Sequence, residues 1–389
     1  MITAKFIFWF SIVLCFYTYC GYGAIIIVSA YLKQLFHKKE NPKDGLFEPG
    51  VTLFIAAFNE EKWMAQKIEN CFSLDYPQEK IKIVVVTDGS TDDSANIIAN
   101  YPAVVHLQQK ERRGKMAAIN LGMQFIDSEI SIFSDANSIL NRKAIRELVD
   151  KFYDDKVALV SGEKRIVIGL GNEAGGFGEA SYWRYESQIK KAEALLNSCV
   201  AVDGGLFAMR TQLFKSLPED TILDDLAISV KLGLDGYSIQ YAAKAIALEN
   251  ASLTLLDEFE RKVRIASGHL QLILRMPAIF NIFRHGGFSL RYFSHKFLRS
   301  FVIPLCIIIV FASNTILCIT QEPLYLGLFS LQCLFYMLAI LGFHFRNNKH
   351  FPKLLHIPLY VCMINLAAWI GVFRYLTGGH SVLWCKAKR

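Results

Sequence analysis

Five short motifs in fixed order hold the residues of this chain best placed to do chemistry. They are Phe54-Ile55-Ala56-Ala57-Phe58-Asn59-Glu60, Val86-Thr87-Asp88-Gly89-Ser90-Thr91-Asp92-Asp93 and Phe133-Ser134-Asp135-Ala136-Asn137-Ser138, followed by Leu223-Asp224-Asp225-Leu226 and Arg261-Lys262-Val263-Arg264. Three of the five place an acid just past an apolar run. An acid at a strand end can bind a nucleotide, hold a metal or move a proton.

Each motif also has a plainer structural explanation. Asp88 opens a strand-to-helix turn in which Ser90 or Thr91 would serve as the cap, yet a cap does not require an acid at the strand tip. Asp135 and Asn137 fit an Asx turn. They also present a carboxylate and an amide oxygen two residues apart, suited to a hard cation, Mg²⁺ or Mn²⁺, that bridges to a diphosphate. The basic run Arg112-Arg113-Gly114-Lys115 is either a solvated turn or charge compensation for a phosphate. Asp224 and Asp225 stand at a helix start, where one acid suffices for capping. Two in an apolar setting perturb each other's pKa and can supply a general base. Arg261 and His269 read as a solvated helix face, whereas Arg264, between Val263 and Ile265, reads as a directed guanidinium suited to a diphosphate.

These residues need elements to position them. Val51–Ala57, Ile81–Thr87 and Ile130–Ser134 are short apolar or β-branched runs. The stretches Glu60–Phe72 and Asp92–Asn100 between them are helix-like, and Glu260–Gln271 reads as a further helix. Strands alternating with helices predict an α/β domain with a mostly parallel sheet. Ligands of such sheets sit at the carboxyl ends of the strands, where Asn59, Asp88 and Asp135 fall.

The flanks differ in kind. Phe6–Ala30 is long enough for a membrane crossing, which needs roughly 20 apolar residues, and no small-residue cleavage site follows it. Lys33, His37, Lys38 and Lys39 come next, so the charge rule places the following domain in the cytoplasm. Phe301–Ile319 and Tyr325–Phe343 are further spans, and Leu359–Phe373 is a shorter candidate. Arg284–Arg299 mixes aromatics with bases and suits the interface. Arg346, Lys349 and Lys353 favour a cytoplasmic loop, while three full C-terminal spans would put Lys386, Lys388 and Arg389 outside. This divides the chain into an anchor (1–40), a catalytic domain (41–280) and an interfacial plus membrane region (281–389).

The chain has 389 residues, is 53% hydrophobic and has a formal net charge of +7. Its bases lie beside apolar segments, which favours membrane lipids over nucleic acid as a partner. Nine cysteines lack metal or disulfide spacing. No G-x-G-x-x-G follows the first strand, against a dinucleotide-dependent dehydrogenase. The spans lack internal acids and repeats, against a transporter.

The ordered motifs resemble the family 2 inverting glycosyltransferases, in the membrane-attached group with cellulose, hyaluronan and poly-N-acetylglucosamine synthases. The resemblance covers about Val51–Gln271 and extends loosely to Ser294-His295-Lys296 and Trp384. It implies a GT-A fold flanked by N- and C-terminal transmembrane helices. It also implies a nucleotide-diphospho-sugar donor, usually UDP-linked. Ala57, Asn59, Glu60 and Asp88 would line the nucleoside pocket, with Lys115 and Arg264 near the nucleotide. Asp135 and Asn137 stand at the family's metal motif, Asp225 at its catalytic base beside Asp224, and Gly204 and Gly205 near the acceptor. Two departures matter: Asn137 replaces a carboxylate, and Ile265 replaces the tryptophan of the processive enzymes. The expectation is a metal-dependent glycosyltransferase of the bacterial inner membrane, with its catalytic domain cytoplasmic. It would modify a glycan or lipid-linked acceptor in cell-surface polysaccharide synthesis. The alternative is a processive synthase coupled to export.

Overall fold

Runs of β-branched and apolar residues build the central sheet of the computed structural model. It describes residues 1–36, 47–167, 173–252, 254–346, 353–379 and 383; the side chains of 173–178 and 353–354 are not described. His37, Lys38, Lys39, Pro42, Gly45, Lys349, Trp384, Lys386, Lys388 and Arg389 lie outside the described residues. The strands are β1 (Val51–Ala57), β2 (Ile81–Asp88), β3 (Val104–Gln109), β4 (Ile130–Asp135), β5 (Ile139–Leu140), β6 (Val157–Val167), β7 (Leu206–Arg210) and β8 (Ser238–Asn250). They form one sheet in the order β3-β2-β1-β4-β7-β6-β8-β5.

The first half of the sheet is parallel: β1 pairs with β2 and β4, and β2 with β3. β7 then runs antiparallel to both β4 and β6. β8 is parallel to β6 and antiparallel to β5. The sheet is therefore mixed, and the mostly parallel expectation holds only for the half that carries the first three motifs. Antiparallel β7 matters for function because it brings the Gly204–Gly205 turn beside the carboxyl end of β4.

The strand period of two separates the two faces. Phe54 points to one apolar layer with Phe133 and Phe207, while Leu53 and Ile55 point to the other with Val85 and Ile132. Phe133 and Phe207 are register partners across β4 and β7, and their rings stack 4.6 Å apart. Burial on both faces explains the near-continuous apolar runs of β1, β2 and β4.

Among the described residues four helices are long and apolar enough to cross a membrane: Ile2–Phe36, Ile282–Cys318, Pro323–His344 and Leu355–Leu376. The last is a full-length candidate, longer than the stretch read from sequence. Arg284–Arg299 is not a separate element but the amino-terminal part of Ile282–Cys318, kinked at Gly286. The first of the four, Ile2–Phe36, docks on the helix Glu173–Leu196. Tyr22 donates to Glu193 Oε1 at 2.6 Å, Tyr185 donates to the Tyr19 carbonyl at 2.6 Å, and Lys33 donates to the Leu196 carbonyl. The amphipathic helix Leu255–Arg275 packs on Leu355–Leu376. There Ser267 Oγ donates to the Gly371 carbonyl and Arg374 pairs with Glu260.

Candidate active site

The strand ends and three loops converge at one edge of the sheet. Asn59 follows β1 with φ 53°, a conformation that asparagine tolerates better than most residues. Its Oδ1 accepts from Thr91 N at 2.8 Å, and its backbone N–H donates to Ser90 Oγ. Glu60 N donates to Ser94 Oγ, and Glu61 N to Asp92 Oδ2. The polar residues after β1 and β2 thus fasten the two loops to each other. Ala57 is fully buried in the apolar layer.

Asp88 is buried, and both carboxylate oxygens are engaged. Oδ1 accepts from Arg113 N at 2.7 Å and Oδ2 from Gly114 N at 2.9 Å. The acid at the strand tip holds the following basic loop by its backbone. Gly89 permits this approach: its φ is +65°, and a Cβ there would lie 2.5 Å from Arg112 N. The basic run divides its work. The Arg112 guanidinium stacks over the Phe58 ring at 3.6 Å, Arg113 pairs with Glu219, and Lys115 starts a helix and turns into the site.

Lys115 is the hub. Its Nζ lies 2.8 Å from Asp135 Oδ1 and 3.5 Å from Asp224 Oδ2. Burial disfavours the ammonium, but Asp135, Asp224 and Asp225 outweigh it and raise the lysine above its ordinary value. Asp135, at the end of β4, is partly exposed, as is Asn137. Below them a fully buried Lys67 donates to Ser134 Oγ at 2.7 Å and to the Ser138 carbonyl at 2.6 Å, pinning both ends of the Asp135–Asn137 turn.

Asp224 and Asp225 begin the helix Asp224–Leu234 and diverge. Asp224 faces Lys115. Asp225 faces Gly204, where a Cβ would sit 3.1 Å from its Oδ2. Glycine at 204 thus leaves room beside this carboxylate. Burial, and next the Asp224 charge, push Asp225 up to about 6, against the pull of Lys115. Gly205 N donates to Asp203 Oδ1. Arg264 donates to the Ile222 carbonyl at 2.9 Å. Burial, with Arg261, lowers Arg264 below the ordinary guanidinium value, opposed by Asp224, Asp225 and Asp135.

The site so assembled contains Lys115, Asp135, Asp224, Asp225, Gly204 and Arg264. Asn59, Glu60 and Asp88 form the loop clamp beside it. Arg261 is not on a solvated face: it is mostly buried and paired with Glu258 and Glu179. His269 is buried too, pushed down to about 3 by that burial.

Sequence reasoning missed the helix Glu173–Leu196. Its Trp183, Glu186, Lys190 and Glu193 fall at intervals of three and four, one stripe of a helix. That stripe was available as a signal. Trp183, Glu186 and Lys190 line a cavity of about 200 Å³ that also reaches Asp225, Ile265, Tyr19 and Asn365.

Residues 52–217 match the family model for glycosyl transferase family 2. Poly-beta-1,6-N-acetyl-D-glucosamine synthase of Staphylococcus aureus (strain COL) is 27% identical over 236 residues, and that of Staphylococcus epidermidis 25%. Each match covers 58% of this chain and 56% of the relative, so the chain spans about half the length of the curated relatives it matches. The mannosyltransferase PcManGT of Pyrobaculum calidifontis, solved with GDP-Man and Mn²⁺, superposes with a TM-score of 0.71. It shares 18% identity and covers 96% of this chain and 100% of its own. Residues 52–217 thus match a family 2 glycosyltransferase domain, the fold is GT-A, and four helices among the described residues are long and apolar enough to cross a membrane.

Proposed function

We propose that this enzyme moves a sugar from a nucleotide-diphospho-sugar, UDP-linked, to a glycan or lipid-linked acceptor with inversion. The setting would be bacterial cell-surface polysaccharide synthesis at the inner membrane, with the catalytic domain on the cytoplasmic side. The observation that carries this is the convergence of Lys115, Asp224, Asp225 and Arg264, all on helices, around Asp135 at the end of β4. It sets cations for a diphosphate beside a carboxylate suited to proton transfer.

In a single displacement, an acceptor hydroxyl oxygen forms a bond to the anomeric carbon. The bond from that carbon to the diphosphate oxygen breaks, and UDP leaves with the electron pair. The hydroxyl proton passes to Asp225. A carboxyl near 6 remains ionised at neutral pH yet is a better base than an ordinary aspartate. Gly204 leaves the approach to Asp225 open. Asp224 acts through Lys115, holding the ammonium toward the leaving group. Arg264 shares the electrostatic load on the diphosphate.

Asp135 and Asn137 offer a carboxylate and a side-chain amide oxygen, and the Asn137 side chain has no hydrogen-bond partner among the described residues. These hard oxygen donors fit Mg²⁺ or Mn²⁺. No cluster of three or more His, Cys, Asp or Glu surrounds them among the described residues, so the diphosphate would supply further ligands. A bound ion would neutralise charge on the departing diphosphate.

Asp225→Asn tests the assignment: turnover should fall while UDP binding remains. A processive synthase is the second possibility, favoured by the names of the Staphylococcus relatives. Product size separates them, since one discrete product supports single transfer and a polymer supports processive synthesis.

A further inference from the structure

The turn that carries Asp135 and Asn137 rests on buried polar side chains that the proposed transfer does not itself use. From one side, the helix Glu61–Phe72 presents Lys67 and, one turn on, Asn70. Lys67 holds Ser134 Oγ and the Ser138 carbonyl. Asn70 closes two bonds with the Leu140 backbone, donating to its carbonyl at 2.9 Å and accepting from its N–H at 2.8 Å. From the other side comes Glu249 of β8, also buried. Its Oε1 accepts from Ser138 Oγ at 2.9 Å, and its Oε2 accepts from Lys164 Nζ of β6 at 2.7 Å.

The same side chains grip the turn before β7. Ser134 Oγ, which accepts from Lys67, donates to the Gly205 carbonyl at 3.1 Å. The α-carbon of Gly205 lies against Glu249: a Cβ there would collide with Glu249 Oε1 and come within 3.5 Å of Ser138 Oγ. The two glycines of this turn thus leave room for different carboxylates, Gly204 for Asp225 and Gly205 for Glu249. Glu249 therefore meets both turns, one through a hydrogen bond and one through close packing. Replacing buried ion pairs by apolar packing is often neutral or stabilising, so stability alone does not account for a buried Glu249–Lys164 pair. What it provides is a fixed distance. A displacement at the anomeric carbon needs leaving group and base held in register, and a misplacement of about 1 Å can cost about 10²-fold.

We propose that Glu249 is a positioning residue for the transfer, holding the turn Asp135–Asn137 against the turn Gly204–Gly205 through Ser138 and Gly205. This rests on the transferase function and the cation-binding turn proposed above. Glu249 is buried and acts through the two turns. Its distinctive consequence is that a change on the acceptor side, at Gly205, reaches the cation on the donor side.

The test measures UDP binding to the full-length chain in nanodiscs, in Mn²⁺ and in EDTA. It compares the wild type with Ser138→Ala, Gly205→Ala and the double variant. Groups that orient metal ligands are typically worth about 10–100-fold in metal affinity. Each single variant should accordingly weaken UDP binding in Mn²⁺ by about tenfold or more and leave binding in EDTA unchanged. The double variant should lose no more than the worse single one, because both act through Glu249. If Gly205→Ala does not fold, Glu249→Gln replaces it, with the length kept and the charge removed, and the same losses are expected. Wild-type Mn²⁺-dependent affinity in Ser138→Ala, with only a lower melting temperature, overturns the positioning role and leaves the cation-binding turn standing. So does a loss confined to Ser138→Ala, and so do fully additive losses, which would make the two turns independent. Wild-type UDP binding that is absent, or equal in Mn²⁺ and EDTA, overturns the proposed donor site and this inference with it.

Discussion

Asp225→Asn should make the protein more stable and far less active. In the folded chain, burial and the neighbouring Asp224 raise the Asp225 carboxyl from 3.8 to about 6. At about 1.4 kcal/mol per pH unit, holding that carboxylate ionised costs the fold up to about 3 kcal/mol. The cost is absent below pH 3.8, where the group is protonated in both states. It grows as pH rises toward 6 and is constant above that, because folding then opposes ionisation. Asparagine keeps the shape without the charge, and Lys115 retains Asp135 and Asp224 as partners. The variant should therefore gain stability at pH 7, and the gain should shrink toward zero near pH 4. Turnover should drop by about 10²–10⁴-fold, the usual worth of a general base, with UDP affinity nearly unchanged. The wild-type rate should also fall as pH drops through about 6. The assays are thermal unfolding at pH 4 and 7, UDP release under saturating acceptor, and UDP binding. Near-normal turnover, or a loss explained by failed UDP binding, would refute Asp225 as base. An unchanged melting temperature at pH 7 would refute the electrostatic strain.

Three further outcomes are expected. Asp135→Ala should abolish metal-dependent UDP binding, whereas Asn137→Asp should preserve or strengthen it; equal UDP affinity in chelator and in Mn²⁺ would contradict a metal at this turn. Gly89→Ala should lower the melting temperature, with a cost of about 1–3 kcal/mol from φ +65° and the approach of Arg112 N; an unchanged unfolding curve would show that the loop relaxes freely. A cysteine introduced at exposed Asp155 should resist an impermeant reagent in intact cells and react after lysis, in line with a cytoplasmic catalytic domain; labelling in intact cells would reverse that orientation.

The sequence determined the parts of this protein that are local. Val51–Ala57, Ile81–Asp88 and Ile130–Asp135 form strands because short β-branched and apolar runs between turn residues suit buried parallel pairing. Acids at their ends must then lie on one edge. The apolar lengths of the membrane helices were equally legible, apart from the true extent of Leu355–Leu376 and the continuity of Ile282–Cys318. Tertiary structure alone decided what depends on long-range contact. It set Asp88 on the backbone of Arg113 and Gly114, and Lys115 between Asp135 and Asp224. It removed Arg261 from solvent by pairing it with Glu179, 82 positions away. It also built the cavity from Tyr19, Trp183, Arg299 and Asn365, which no window of sequence contains together. The physical reason is that periodicity specifies which face of an element is apolar. The distances between charges, and so their pKa values, are fixed only when the elements pack.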